Sequence, residues 1–65
     1  MTIKIIDSPP GAGDMWYFAA DVEEKSIEFT CWKRLPNEKN DDLANERYKD
    51  GCIELGNRIT EVLCS

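Results

Sequence analysis

Acidic side chains at helical spacing are the feature of this sequence that could do chemistry. Four acids stand at intervals of four residues, and a fifth continues the series after Asn57: Asp42, Glu46, Asp50, Glu54 and Glu61. In a helix, residues four apart are neighbours, and like charges there repel by about 0.2–0.5 kcal/mol per pair. These acids therefore repel one another locally, which predicts either a solvated acidic face or a surface that binds a positively charged partner.

The sequence contains no histidine, which removes the commonest general base and the commonest metal ligand. A Ser-His or Cys-His nucleophile is therefore excluded. Paired carboxylates could still act as a glycosidase does, but they need a cleft, and a chain of 65 residues builds only one thin core. We expect a protein that is not an enzyme and that holds no cofactor and no metal.

The charge balance bears on possible partners. Thirteen acidic residues against eight basic ones give a formal net charge of −5 and a pI near 4.5. DNA, RNA and anionic membranes are bound through basic faces, so the balance disfavours all three and favours a basic protein partner. No apolar run is long enough to span a membrane, and we expect a soluble, cytosolic protein.

The cysteines predict neither a disulfide framework nor a zinc site. Their number is odd, and Cys31, Cys52 and Cys64 are widely spaced without a CxxC pair. Cys31 lies in an apolar strand pattern, and free cysteine is common in protein cores. We interpret the cysteines as small apolar residues rather than reactive thiols.

The first half of the chain predicts three strands. The segment "TIKIID" at residues 2–7 begins with alternating apolar residues, and "SPPGAGD" then breaks it with proline and glycine. Two runs rich in aromatic and β-branched residues follow, at 15–22 and 27–34, with "EEKS" between them. They predict a β-hairpin, and we expect its turn at Glu24-Lys25.

This turn specifies a register for the hairpin. It places Val22 opposite Ile27, and it places Asp21 opposite Glu28. The apolar side chains then share one face of the sheet, whereas a slip of one residue would scramble the two faces.

The second half predicts helix. Asn40 can cap it, and a stripe of apolar residues keeps its phase from residue 44 to residue 63. However, Asp50-Gly51 is a typical stop signal, and glycine within a helix costs about 1 kcal/mol relative to alanine. We therefore expect one kinked helix or two helices, with the break near Asp50-Gly51.

The expected fold class is α+β. One small domain over residues 1–65 would contain a three-stranded antiparallel sheet, followed by a C-terminal helical segment packed on one face. The expected core is apolar throughout: Ile3, Ile5, Trp16, Phe18, Val22, Ile27, Phe29, Tyr48, Leu55, Ile59 and Val62.

On a helical wheel, the acids from Glu46 to Glu61 gather on a narrow face opposite the apolar stripe, with Asp42 at its edge. One interpretation is a solvated face of an acidic protein. The other is a row resembling the phosphates that DNA presents to lysine and arginine. A second acidic group stands at the expected hairpin tip and adds to this surface: Asp21, Glu23, Glu24 and Glu28.

The expected sheet has a second face that the helix does not cover. Tyr17 and Trp32 would lie opposite one another on it, with Met15 and Arg34 nearby. They form either a cluster that shields the sheet or an exposed aromatic patch, which could bind a partner or make a homodimer.

As a whole, and especially over "MTIKIIDSPPGAGDMWYFAADVEEKSIEFTCWKRLP", the chain resembles small acidic phage-type anti-CRISPR proteins of the type I-C inhibitor group. The resemblance covers the whole chain but includes no diagnostic motif, so no functional residue is carried over. It implies that the protein binds the RNA-guided Cascade complex in the cytoplasm of a bacterial host. It also implies that binding blocks recognition of target DNA, with a DNA-binding subunit as the contact.

Two other functions remain open on the residues alone. The same acidic surface would suit an inhibitor or immunity protein of a basic nuclease or toxin. Alternatively, Tyr17 and Trp32 would assemble a homo-oligomeric phage regulatory protein.

Overall fold

The structure, a computed structural model, describes residues 1–64 and has the expected α+β arrangement. Strands β1 (Thr2–Asp7), β2 (Met15–Val22) and β3 (Lys25–Trp32) form an antiparallel sheet in the order β1-β2-β3. A single helix, α1 (Ala44–Cys64), follows the sheet and packs on one of its faces. Within the described chain, no helix has both the length and the apolarity needed to cross a membrane.

The core lies between the central strand and the helix. Alternate residues of β2 point towards α1, and Phe18 and Val22 are almost fully buried there, together with Leu55 from α1. The Phe18 ring stacks on Phe29 of β3, with ring centroids 5.1 Å apart. Partly buried residues surround this centre: Trp16, Ile27, Cys31, Tyr48, Cys52, Ile59 and Val62.

The structure has one helix rather than two, since α1 runs without interruption through Asp50-Gly51. Gly51 is buried, and a Cβ atom added to it would lie 2.3 Å from Cζ of Phe18. The glycine is therefore the position at which the aromatic ring of β2 meets the helix backbone. Packing of the ring stabilises the helix where local propensity alone would favour its end.

The helix begins later than expected. The side-chain oxygen of Asn40 accepts a hydrogen bond from the backbone N–H of Asp42 at 3.3 Å, which makes an Asx turn instead of a helix cap. A further turn, in which the Ala44 N–H donates to the Asp41 carbonyl at 3.0 Å, leads into α1. Asp42 thus precedes the helix.

The hairpin turn lies one residue earlier than predicted, at Glu23-Glu24, so β3 pairs two residues away from its expected register. Val22 lies opposite Lys25, and Asp21 lies opposite Ser26 rather than Glu28. A shift of two residues keeps every side chain on its predicted face, because strand side chains alternate with a period of two. The segregation of the faces therefore could not distinguish the two registers.

Ile3 and Ile5 do not belong to the buried core, contrary to the prediction, and are 50% and 36% exposed. They lie on the helix side of β1, but α1 packs against β2 and β3 and makes no contact with β1. A helix is about 10 Å wide and neighbouring strands are about 4.8 Å apart, so one helix covers about two strands.

We expect the hairpin turn to be a source of backbone strain. Glu23 and Glu24 have φ of 49° and 69°, the left-handed region that type I′ turns require and that Asn-Gly occupies most easily. Replacing the pair by Asn-Gly (Glu23→Asn with Glu24→Gly) should raise the free energy of unfolding by about 1–2 kcal/mol, measured by urea denaturation. The Gln-Gln variant is the control, since it removes the same charges and keeps the strain. Equal stabilisation in both variants would assign the effect to charge.

Candidate acidic binding surface

A row of carboxylates runs along the exposed face of α1. Glu46, Asp50, Glu54 and Glu61 are all exposed, and their spacing places them outside the buried stripe of the helix. At 1.5 Å per residue, the members four apart are separated by about 6 Å along the axis, and the row is about 22 Å long. Asp42 is exposed but lies in the turn before α1, so it is not a member of the row.

Internal cations neutralise only part of this row. Nε of Arg58 lies 2.9 Å from Oε1 of Glu54, and the guanidinium also lies 4.6 Å from the centre of the Phe29 ring. No ion pair among residues 1–64 involves Glu46, Asp50 or Glu61. Three carboxylates of the row therefore remain available to an outside cation.

Arg47 follows Glu46 in the sequence but does not compensate the row. Its guanidinium pairs with Glu38 and donates to the backbone carbonyl of Lys33 at 3.3 Å. The hydrogen bonds that Glu38 accepts from the Arg47 guanidinium and from the Leu35 N–H hold the pKa of the Glu38 carboxyl below its usual value. Arg47 thus ties the chain after β3 to the helix.

The second acidic group lies at the hairpin tip. Glu23 and Glu24 occupy the turn and are exposed. Asp21 accepts a hydrogen bond from Ser26 Oγ at 2.9 Å, and Glu28 lies opposite Ala19. The predicted cross-strand repulsion between Asp21 and Glu28 is therefore absent.

The structure brings members of the two acidic groups together at a groove between β3 and α1. Glu28 from the hairpin and Glu54 and Glu61 from the helix line this open groove, together with Lys25 and Arg58. Glu46 and Asp50 lie outside it, further along the row. Sequence spacing could suggest the Glu54–Arg58 pair, but nothing local indicated that β3 would lie beside it.

The aromatic residues of the open sheet face are not directly paired as predicted. Trp32 lies opposite Met15 and is 44% exposed, whereas Tyr17 is half-buried and lies opposite Thr30. Tyr17 donates a hydrogen bond from its hydroxyl to Oε2 of Glu28 at 2.8 Å. Tyr17 therefore holds the Glu28 carboxylate on the open sheet face, while Trp32 is the exposed aromatic surface.

The hydrogen bond from Tyr17 to Glu28 predicts how the Tyr17 phenol titrates. The hydrogen bond to the Glu28 carboxylate, with some burial, raises the pKa of the phenol above its usual value of 10.0. Because the folded pKa is raised, the stability that the contact contributes is complete below pH 10 and is lost as the pH rises through the folded pKa. In a spectrophotometric titration, Glu28→Gln should move the Tyr17 transition towards lower pH. An unchanged transition would contradict the hydrogen bond.

The remaining groups offer no second site. Within residues 1–64, no three His, Cys, Asp or Glu side chains are placed to hold a metal ion, and Cys31, Cys52 and Cys64 are free thiols. Comparisons of the chain with protein-family models, curated proteins and solved structures find no match. We therefore infer function from the geometry of this chain's own residues.

Proposed function

We propose that this protein is a non-enzymatic inhibitor that binds a CRISPR surveillance complex of the Cascade type and blocks its recognition of target DNA. The observation that carries the proposal is the exposed row on α1, in which Glu46, Asp50 and Glu61 have no internal cation. The contact on the host side would be a DNA-binding subunit of a type I-C complex, in the bacterial cytoplasm, and the inhibitor would act as a monomer or homodimer.

The physical basis is competition for basic side chains. One strand of DNA presents a negative charge about every 3.4 Å along the axis, and proteins neutralise these charges with lysine and arginine. The four carboxylates of the row span about 22 Å and are on average about 7.5 Å apart, so the linear charge density of the row is roughly half that of one strand. The hairpin acids Glu23, Glu24 and Glu28 add charge near the groove end of the row, and the net charge of −5 favours approach to a basic surface.

The unbroken helix supports this proposal. With a break at Gly51, the carboxylates before and after it would point in different directions. Because α1 is one helix from Ala44 to Cys64, Glu46, Asp50 and Glu61 lie along a single axis. A row on one continuous helix can occupy a groove shaped to a nucleic-acid backbone.

The test is target-DNA binding by a purified type I-C Cascade complex, with and without this protein, at low and moderate salt. We expect loss of DNA binding that weakens as the salt concentration rises, because salt screens the exposed charges. A complex that binds the protein and still captures DNA would contradict blocked recognition. Failure to bind the complex at all would contradict the proposed partner.

The second candidate, an inhibitor or immunity protein of a basic nuclease or toxin, draws on the same acidic row. It predicts that this protein leaves Cascade unaffected and that a nuclease or toxin is recovered with it from host lysate. The third, a homo-oligomeric regulator, draws on the 44% exposure of Trp32. It predicts a larger particle in gel filtration that Trp32→Ser converts to monomer.

A further inference from the structure

The outer edge of β3 carries unpaired backbone groups. The Lys33 N–H donates to the Asp14 carbonyl at 2.8 Å, which identifies Asp14 and Lys33 as a hydrogen-bonded pair between β2 and the residues after β3. Hydrogen-bonded and non-hydrogen-bonded pairs alternate along antiparallel strands, so the odd-numbered residues of β3 bond inwards to β2. The N–H and C=O groups of Ser26, Glu28 and Thr30 therefore point outwards, and β3 is the last strand of the sheet.

This edge borders the acidic groove. Ser26 and Glu28 line the groove on the β3 side, and Glu54 and Glu61 line it on the α1 side. The groove has a volume of about 820 Å³ and is largely open to solvent. An extended chain beside β3 would thus have both a hydrogen-bonding edge and a row of carboxylates next to it.

We propose that the edge of β3 binds an extended, lysine- or arginine-rich segment of the partner protein, which adds to the sheet as a fourth strand. This inference rests on the proposed function, because it takes the partner to be a basic, DNA-binding surface. The backbone of the segment pairs with Ser26, Glu28 and Thr30. Its basic side chains on the helix side reach Glu54 and Glu61.

The charges around β3 favour this edge of the sheet over the edge at β1, and they favour a basic segment as the added strand. Glu54 and Glu61 border the edge on the helix side, and the Glu28 carboxylate, which accepts from Tyr17, borders it on the open sheet face. Of the two cations in the groove, Lys25 and Arg58, Arg58 is already paired with Glu54. The turn acids Glu23 and Glu24 directly precede β3, next to Lys25 and Ser26 of the groove. A basic strand gains attraction here, whereas an acidic strand or a second copy of this chain, with its net charge of −5, is repelled.

The opposite edge of the sheet has different chemistry. The Ser8 N–H donates to the Met15 carbonyl at 2.8 Å, so the same alternation directs the backbone groups of Ile3 and Ile5 outwards from β1. This edge carries exposed isoleucines and Lys4, and the carboxylate of Asp7 in β1 is paired with Lys33 at 2.9 Å. It serves as the internal control for strand addition.

The first test uses the isotope-labelled wild-type protein and a short synthetic peptide in which lysine alternates with threonine. We expect the largest amide shift changes at Ser26, Glu28 and Thr30, as in other strand additions to sheet edges. A peptide of the same sequence with N-methylated backbone amides keeps the charge but cannot pair, and its binding should be weaker by about tenfold. Equal binding of the two peptides, or shifts confined to side chains, would overturn the proposal.

The second test uses proline, which removes an outward N–H and leaves the inner ladder intact. Thr30→Pro should weaken inhibition of Cascade DNA binding and peptide binding, whereas Ile3→Pro on the opposite edge should leave both unchanged. If folded Thr30→Pro inhibits as well as the wild-type protein, strand addition is wrong, and inhibition is explained by competition from the acidic row alone. If the wild-type protein leaves DNA binding by Cascade unchanged, the proposed function fails, whatever the peptide does.

Discussion

Gly51→Ala is expected to destabilise the protein by about 2 kcal/mol, although alanine is the better helix former by about 1 kcal/mol. The new Cβ atom would lie 2.3 and 2.4 Å from two carbons of the Phe18 ring, and real Cβ atoms do not approach other atoms so closely. Either the ring or the helix must move, and the stacked Phe29 lies behind the ring. Urea denaturation measures the change.

The same helix supplies a matched control. Gly56 has no heavy atom within 4 Å of an added Cβ, so Gly56→Ala gains helix propensity without a clash. It should raise the free energy of unfolding by about 1 kcal/mol. Opposite signs at the two glycines are therefore the expected result. Stabilisation by Gly51→Ala would mean that Phe18 does not pack against the helix backbone.

A double variant tests the contact directly. Phe18→Leu alone should destabilise the protein by removing stacked area, but it leaves room at the helix. Together with Gly51→Ala, the loss should be smaller than the sum of the two single losses, because the two residues are in contact. If the losses of stability from Phe18→Leu and Gly51→Ala are simply additive, the added methyl group at position 51 does not clash with Phe18.

Neutralising the free members of the acidic row is expected to weaken inhibition by about 10- to 100-fold, from about 0.5–1 kcal/mol for each of the three charges. The variant combines Glu46→Gln, Asp50→Asn and Glu61→Gln, and it changes the formal net charge from −5 to −2. Its stability should rise slightly, since the repulsion between Glu46 and Asp50 at i, i+4 is removed. The measurements are competition with target DNA for Cascade and urea denaturation.

A second variant separates the row from net charge. Lysine at three exposed positions away from the row, Pro10, Ala12 and Asn37, also gives a net charge of −2. It should inhibit nearly as well as the wild-type protein if the row makes the contact. Equal losses in the two variants would assign inhibition to overall charge, and full inhibition by the neutralised row would move the contact to another surface.

The element types were predictable because each depends on a local periodicity. The apolar alternation of β2 and the helical stripe from Ala44 to Leu63 appear in the structure as a strand and a helix. The acidic face was predictable for the same reason, since the stripe that buries Leu55 leaves Glu46 and Asp50 on the opposite side. Periodicity identifies which side of an element a residue occupies.

The errors arose where a distant residue decides the outcome. Gly51 is locally a stop signal, and only the ring of Phe18 across the interface explains why the helix continues. The turn at Glu23-Glu24 puts two glutamates at positive φ, which no turn propensity would select. It follows from the register of β2 against β3, and the apolar pattern could not distinguish two registers that differ by two residues.

The site was predictable only in part, for the same reason. The row on α1 follows from spacing, but its meeting with Glu28 depends on the position of β3 beside the helix. The contact of Tyr17 with Glu28 likewise crosses from one strand to the next. Local pattern identifies charged faces, and tertiary packing decides which of them share a groove.

The partial coverage of the sheet also divides the molecule energetically. β1 packs on β2 alone, whereas β2, β3 and α1 all share the aromatic core around Phe18. The weakest cooperative unit is therefore β1, which can detach at less than the global free energy of unfolding and leave the hairpin and helix joined. Native-state hydrogen exchange should show β1 amides opening first, while the carboxylate row stays in place on a rigid, still folded remainder.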